Sequence, residues 1–186
     1  MSLACLILAA GEGKRMKSTL AKPLHRVGGQ TMIAHVLAYV RALGPEPIAV
    51  VLGVGREAMT EALAGENVRL AIQQEQLGTG HAVMAAAEIF AGFEGDLLVT
   101  CADIPLVRPE TLRALLEEHR TRGAAATVLT AVYEDPTGYG RILRDADGLV
   151  TAIVEHKDAT PQQRAVREIN AGVYCFRARE LFEALG

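Results

Sequence analysis

Residues 3–10, LACLILAA, hold only small and aliphatic side chains. A strand with one wet face would alternate, so an unbroken apolar run predicts a strand buried on both faces. PIAVVLG (47–53), VRLAIQ (68–73), DLLVTC (96–101) and AAATVLTAVY (124–133) predict four more strands. Between them the period changes to that of a helix. From Thr31 to Leu43, residues Met32, Ile33, Val36, Leu37, Val40 and Leu43 fall on one stripe, with Thr31 placed to cap it. Further helices are predicted over Arg56–Ala64, His81–Phe90 and Pro109–Arg122, the last with Pro109 in its first turn. This alternation predicts parallel strands joined by right-handed helical crossovers.

The rhythm changes near Pro136. GRILRD and GLVTAIVEH flank Asp147-Gly148 and predict an antiparallel hairpin. EINAGVYCF adds a strand, and a helix starts at Glu180. The expected fold is α/β: a Rossmann-like, mostly parallel sheet with helices on both faces and an antiparallel hairpin excursion near the C-terminus. No repeat, low-complexity tract or linker interrupts it, so residues 1–186 are expected to form a single domain. The last helix has barely begun at Gly186, which predicts a domain truncated on its C-terminal side and a longer parent.

Composition narrows the class. With 50% hydrophobic and 22% charged residues the chain is globular, and a net charge of −3 gives no general attraction to nucleic acid or to anionic membranes. No stretch reaches the roughly 18 apolar residues of a membrane span, and the N-terminus lacks the basic region of a signal peptide. Cys5, Cys101 and Cys175 are far apart in strand-like sequence and show no zinc spacing with the five histidines. They predict reduced core thiols of a cytoplasmic protein.

Any anion site must therefore be local. The first strand runs into GEGKRM, and Lys14, Arg15, Lys17 and Lys22 cluster around it. Backbone N–H groups and cations at a strand end suit a phosphate, although a solvated strand-to-helix turn fits this stretch equally well. It is not a Walker A loop, because Leu8 stands where the first glycine belongs and Arg15 replaces the Ser or Thr. The dinucleotide fingerprint fails too, with Met16 at its third glycine. Ligands of open parallel sheets sit beyond the carboxyl ends of the strands. There the third strand leads to Gln73 and the Gly78-Thr79-Gly80 turn, and the fourth to Asp103. Beside a phosphate loop, Asp103 suits Mg²⁺, which takes one or two carboxylates plus phosphate oxygens and water; its other reading is a turn cap.

Taken together, LAAGEGKRM…KPLHRVGGQTMIAHV, QEQLGTGHAV, DIPL, DPTGYGRI, IVEHKDAT and EINAGVY resemble the N-terminal domain of the bacterial N-acetylglucosamine-1-phosphate uridylyltransferases, from about Leu3 to Val173. The first motif is shared by sugar-nucleotide transferases in general; QLGTGHA, PTGYGRI and IVEHKDA are specific to this family. The resemblance implies transfer of a uridylyl group from UTP to N-acetylglucosamine 1-phosphate, giving UDP-N-acetylglucosamine and pyrophosphate for cell-envelope precursors. It implies that Leu8, Ala9, Ala10, Gly11, Gln73, Gly78 and Thr79 surround the uracil and ribose. Arg15 and Lys22 correspond to the phosphate-binding, catalytic cations, Asp103 to the Mg²⁺ ligand, and Gly140, Glu155 and Asn170 to the residues that hold the N-acetylglucosamine. On residue type alone, Glu155 and Lys157 read as a solvated hairpin edge.

The chain departs from the family at Cys101-Ala102, where Tyr-Gly commonly precedes the metal aspartate and lines the substrate site. The family's second metal ligand, an asparagine, is expected beyond Gly186, as is the β-helix acetyltransferase domain through which the full-length parent would trimerise. Two other functions stay open: a related nucleotidyltransferase with another base or acceptor, and a UDP-sugar-binding regulatory domain without turnover. A nicotinamide-dependent dehydrogenase is disfavoured, since Gly53-Val54-Gly55 stands where a ribose-binding acid belongs.

Overall fold

The computed structural model describes residues 2–11, 16–53 and 56–186. They divide into two compact units, residues 1–127 with 174–186, and residues 128–173.

In the first unit β1 (Leu3–Ala9) is flanked by parallel β4 (Ile48–Leu52) and β6 (Asp96–Cys101), and β5 (Arg69–Ile72) lies beyond β4. β1, expected to be buried on both faces, is buried from Ala4 to Ile7 and half-buried at Leu3, Leu8 and Ala9; all five residues of β4 are buried as well. The pleat sorts side chains into two layers. Leu6, Ala49, Val51, Ala71, Leu97 and Val99 face α3 (Thr79–Met84), the 3₁₀ turn Ala87–Phe90 and α6 (Ala178–Leu185), where Phe90 and Phe182 stack at 6.0 Å. On the opposite face Tyr39 of α1 (Met32–Arg41) meets Thr100 of β6 at 3.2 Å, and His119 of α4 (Pro109–Thr121) approaches Asp96. Helices thus cover both faces. Thr31 caps α1 as expected, its Oγ1 accepting from Ala34 N at 3.3 Å.

Several elements differ from expectation. The helix predicted to run to Phe90 stops at Met84 and resumes as the 3₁₀ turn. Burial of Ala86 and Phe90 against the sheet overrides the propensity of the alanine run for one helix. β2 (Arg26–Val27) and β3 (Gln30–Thr31) form a small ladder too short to leave a period, whereas α2 (Glu57–Ala62) is the short helix expected over Arg56–Ala64. The fifth predicted strand, β7 (Ala126–Val132), does not extend the parallel block but pairs with β10 (Glu168–Arg177). The edge of β6 is already taken, because Tyr174–Arg177 of β10 pair with it antiparallel.

In the second unit β8 (Arg141–Arg144) and β9 (Val150–Val154) form the expected hairpin. Its connection is longer than a two-residue turn: the Asp145 carboxylate accepts from Asp147 N and Leu149 N at 3.0 and 2.8 Å. The short helix α5 (Pro161–Arg164) follows with a full capping box at Thr160 and Gln163, and the first half of β10 pairs with β8 through Ile169 and Arg141.

Candidate active site

At the carboxyl ends of β1, β5 and β6 lies a cleft of about 560 Å³. Its lining includes Leu8, Ala9, Ala10 and Gly11 from β1, Gln73 past β5, Gly78 and Thr79 before α3, and Cys101, Ala102 and Asp103 past β6, with Lys22 on one side. Every sequence-predicted nucleotide residue among the described ones is therefore gathered in one place. Arg15, with Gly13 and Lys14, lies outside the described residues.

Local packing explains the shape of the β1 end. A Cβ on Gly53 would lie 2.6 Å from the Ala10 carbonyl oxygen, so β1 and β4 come together there backbone to backbone. Gly53 serves this close approach, which accounts for a glycine where a ribose-binding acid is missing. Gln76, which the sequence reading passed over, donates from Nε2 to Ala10 O at 2.7 Å and lines the cleft. No local pattern separates it from Gln74; its role depends on a contact 66 positions back.

Gln73 is 3% exposed, and its Nε2 donates to Gly78 O at 3.2 Å and to His81 Nδ1 at 3.0 Å. With the amide nitrogen engaged by the protein, its direction is set by side chains and backbone already in place. Across the cleft Lys22 Nζ donates to Asp103 Oδ2 at 2.5 Å, the two side chains being 30% and 35% exposed. A cation and a carboxylate thus share a wet pocket beside uncharged donors and acceptors. The Cys101 thiol is pushed up to about 11 by burial, with the Asp103 charge adding to it, so it stays protonated near neutrality. All three cysteines are outside any disulfide, and burial also raises Cys5 and Cys175. The described part of the cleft therefore offers positioning and charge rather than an activated thiolate.

Among the described residues no three His, Cys, Asp or Glu side chains converge to hold a metal ion, and no helix is long and apolar enough to cross a membrane.

The second unit holds the other predicted group. Arg141 pairs with Val154 on one side and with Ile169 on the other. One residue earlier, Gly140 comes opposite Glu155 and Asn170, and Asn170 N donates to Gly140 O at 2.9 Å. A Cβ on Gly140 would lie 3.2 Å from Glu155 Oε1 and 3.6 Å from Asn170 Cβ. The three residues thus form one row across β9, β8 and β10 on one face of the sheet, and the missing Cβ of Gly140 lets the Glu155 carboxylate and Ile153 approach closely.

Comparison with known proteins agrees with this architecture. The sequence profile of the MobA-like NTP transferase domain matches residues 5–183. The chain is 55% identical over 180 residues to the bifunctional protein GlmU of Geobacillus thermodenitrificans, covering 97% of this chain and 39% of that protein. With GlmU of Geobacter metallireducens it shares 50% over 184 residues, 98% of this chain and 39% of the relative. It therefore spans about two-fifths of the length of these curated relatives. A solved UDP-glucose pyrophosphorylase in complex with UDP-glucose has the same fold at 20% identity, with a TM-score of 0.79 over all of this chain and 79% of that one. With an α/β fold of this kind and a profile match over nearly its whole length, the chain belongs to the MobA-like NTP transferase domain family.

Proposed function

We propose that this chain carries uridylyl transfer from UTP to N-acetylglucosamine 1-phosphate, as the N-terminal part of a protein of the GlmU kind. The observation that carries this is the single cleft in which Asp103 and Lys22 pair beside Ala10, Gly11 and the oriented amide of Gln73. The identity to the GlmU relatives supports the choice of substrates.

Gln73, with the Leu8–Gly11 backbone, Gly78 and Thr79, holds the uracil and ribose; an amide whose nitrogen is already engaged presents its remaining hydrogen-bonding capacity in one direction. Lys22 and Arg15 bind phosphate oxygens. Glu155 and Asn170, beside Gly140, take the hydroxyl and acetamide groups of the sugar. The acceptor phosphate is already ionised at neutral pH, so no protein nucleophile is needed, in keeping with a protonated Cys101. An acceptor phosphate oxygen bonds to the α-phosphorus of UTP as the bond to the bridging oxygen breaks, and pyrophosphate leaves. The protein holds these groups in line and offsets their charge.

Asp103 fits Mg²⁺ in one specific way. Among the described residues lining the cleft it is the one carboxylate, partly exposed, which suits an ion that fills its other positions with phosphate oxygens and water. When bound there, the ion would neutralise charge on the phosphates. Lys22 must then give up Asp103 and is free to meet a phosphate.

The test is product formation. The chain is incubated with Mg²⁺, each of the four nucleoside triphosphates in turn, and either N-acetylglucosamine 1-phosphate or glucose 1-phosphate. UDP-N-acetylglucosamine and pyrophosphate in equal amounts are expected from the UTP pair. Faster product formation with another triphosphate or with glucose 1-phosphate overturns the assignment.

A further inference from the structure

Arg141 opens β8, is 1% exposed, and lies on the face of the sheet opposite to Gly140, Glu155 and Asn170. Its Nη1 donates to the carbonyl of Tyr139, and its Nη2 donates to His156 Nδ1 at 3.2 Å. A guanidinium has donors only, so Nδ1 of His156 accepts and the ring proton sits on Nε2. Arg141 Nε is buried without a hydrogen-bond partner. None of the described carboxylates forms an ion pair with this arginine; an anion near it is the exposed Asp135, whose acidity is strengthened chiefly by hydrogen bonds from Thr137 and further by the charge of Arg141.

A buried cation held this way is a poor device for stability, because an apolar side chain of similar volume serves a core as well or better. What it adds is direction. Its two partners are Tyr139, one residue before Gly140, and His156, one residue after Glu155. The guanidinium therefore ties the chain entering β8 to the chain leaving β9, at the place where Gly140 and Glu155 face each other.

We propose that Arg141 is a positioning residue for the sugar: by bridging the Tyr139 carbonyl and the His156 ring from the far face, it locks the Gly140–Glu155–Asn170 row at the spacing that binds N-acetylglucosamine. This rests on the assignment of that row to the sugar under Proposed function. Without the bridge, the two strand ends lose the side-chain tie between them, and the hydrogen bonds made by the row depend on strict geometry.

Calorimetric titration of the chain with UDP and with UDP-N-acetylglucosamine isolates the sugar's contribution as the ratio of the two affinities. The unmodified chain binds UDP-N-acetylglucosamine more tightly than UDP. In Arg141→Met that gain falls by roughly tenfold while UDP affinity stays within about twofold. Arg141→Lys keeps the charge but reaches only one partner, and recovers part of the gain. His156→Phe keeps a ring but removes the acceptor, and loses the gain as Arg141→Met does; it carries the test if thermal melting shows that Arg141→Met does not fold. A folded Arg141→Met that retains the full gain overturns the proposal. So does a parallel loss of affinity for both ligands, the mark of a general structural defect. If the unmodified chain shows no gain, the assignment of the row to the sugar falls, and the positioning role with it.

Discussion

Asp103 and Lys22 are 81 positions apart in the chain and 2.5 Å apart in the cleft. With each side chain about one-third exposed, the pair contributes about 0–1 kcal/mol to stability. Its interest is chemical, since the carboxylate that would meet a metal is held by the cation that would meet a phosphate. Asp103→Asn keeps the size and removes the charge. Its melting temperature should stay within about 3 °C of the unmodified chain, using roughly 2–4 °C per kcal/mol for a chain of this length. UTP binding in EDTA should change little, while the increase in affinity that Mg²⁺ brings should disappear, as measured by titration with and without the ion. A full magnesium increment in Asp103→Asn would exclude the metal role. Asp103 was legible from its place after a buried strand. Its pairing with Lys22 was not: resemblance marked Lys22 as a phosphate-binding cation, and only a contact 81 positions away shows that it meets Asp103. The row of Gly140, Glu155 and Asn170 had the same standing: resemblance named its members, and only strand register puts them side by side.

At the level of elements, α4 is fastened to β6 and β7 by polar contacts. The Asp96 side chain is 3% exposed and accepts from Arg120 Nε at 2.7 Å, while His119 Nδ1 lies 2.9 Å from Thr127 Oγ1. Arg120→Ala leaves that carboxylate without its main donor. Because Arg120 is itself 39% exposed, solvent screens part of the loss, and a cost of about 2 kcal/mol is expected. Thermal melting should drop by roughly 4–8 °C. His119 adds a pH dependence, since burial chiefly lowers its affinity for a proton, against the opposing pull of Asp96. A histidine that binds its proton less readily when folded supports the fold above the unfolded value of about 6.5 and withdraws that support as pH falls below it. Melting curves between pH 7.5 and 5 should therefore decline, and His119→Gln should flatten the decline. The strands of the parallel block and the helix stripes of α1 and α4 were legible because each repeats its period over several turns or pleats. β2 and β3, two residues each, carry no period, and the partner of β7 was set by competition for the edge of β6.

For the whole molecule, the chain spans about two-fifths of the length of its curated relatives. Family membership follows from the profile match over residues 5–183, whereas substrate choice depends on what the cleft can read. The central claim is that this cleft of about 560 Å³, with Gln73 held in one orientation, selects a uracil base. A mismatched base forfeits one or two hydrogen bonds to groups that stay buried, a loss of about 1–3 kcal/mol and hence roughly tenfold or more in affinity. Calorimetric titration of the chain with UTP, CTP, GTP and ATP in the presence of Mg²⁺ tests this directly. UTP binding at least about tenfold tighter than either purine nucleotide is the predicted result; ATP or GTP binding as tightly as UTP would contradict it.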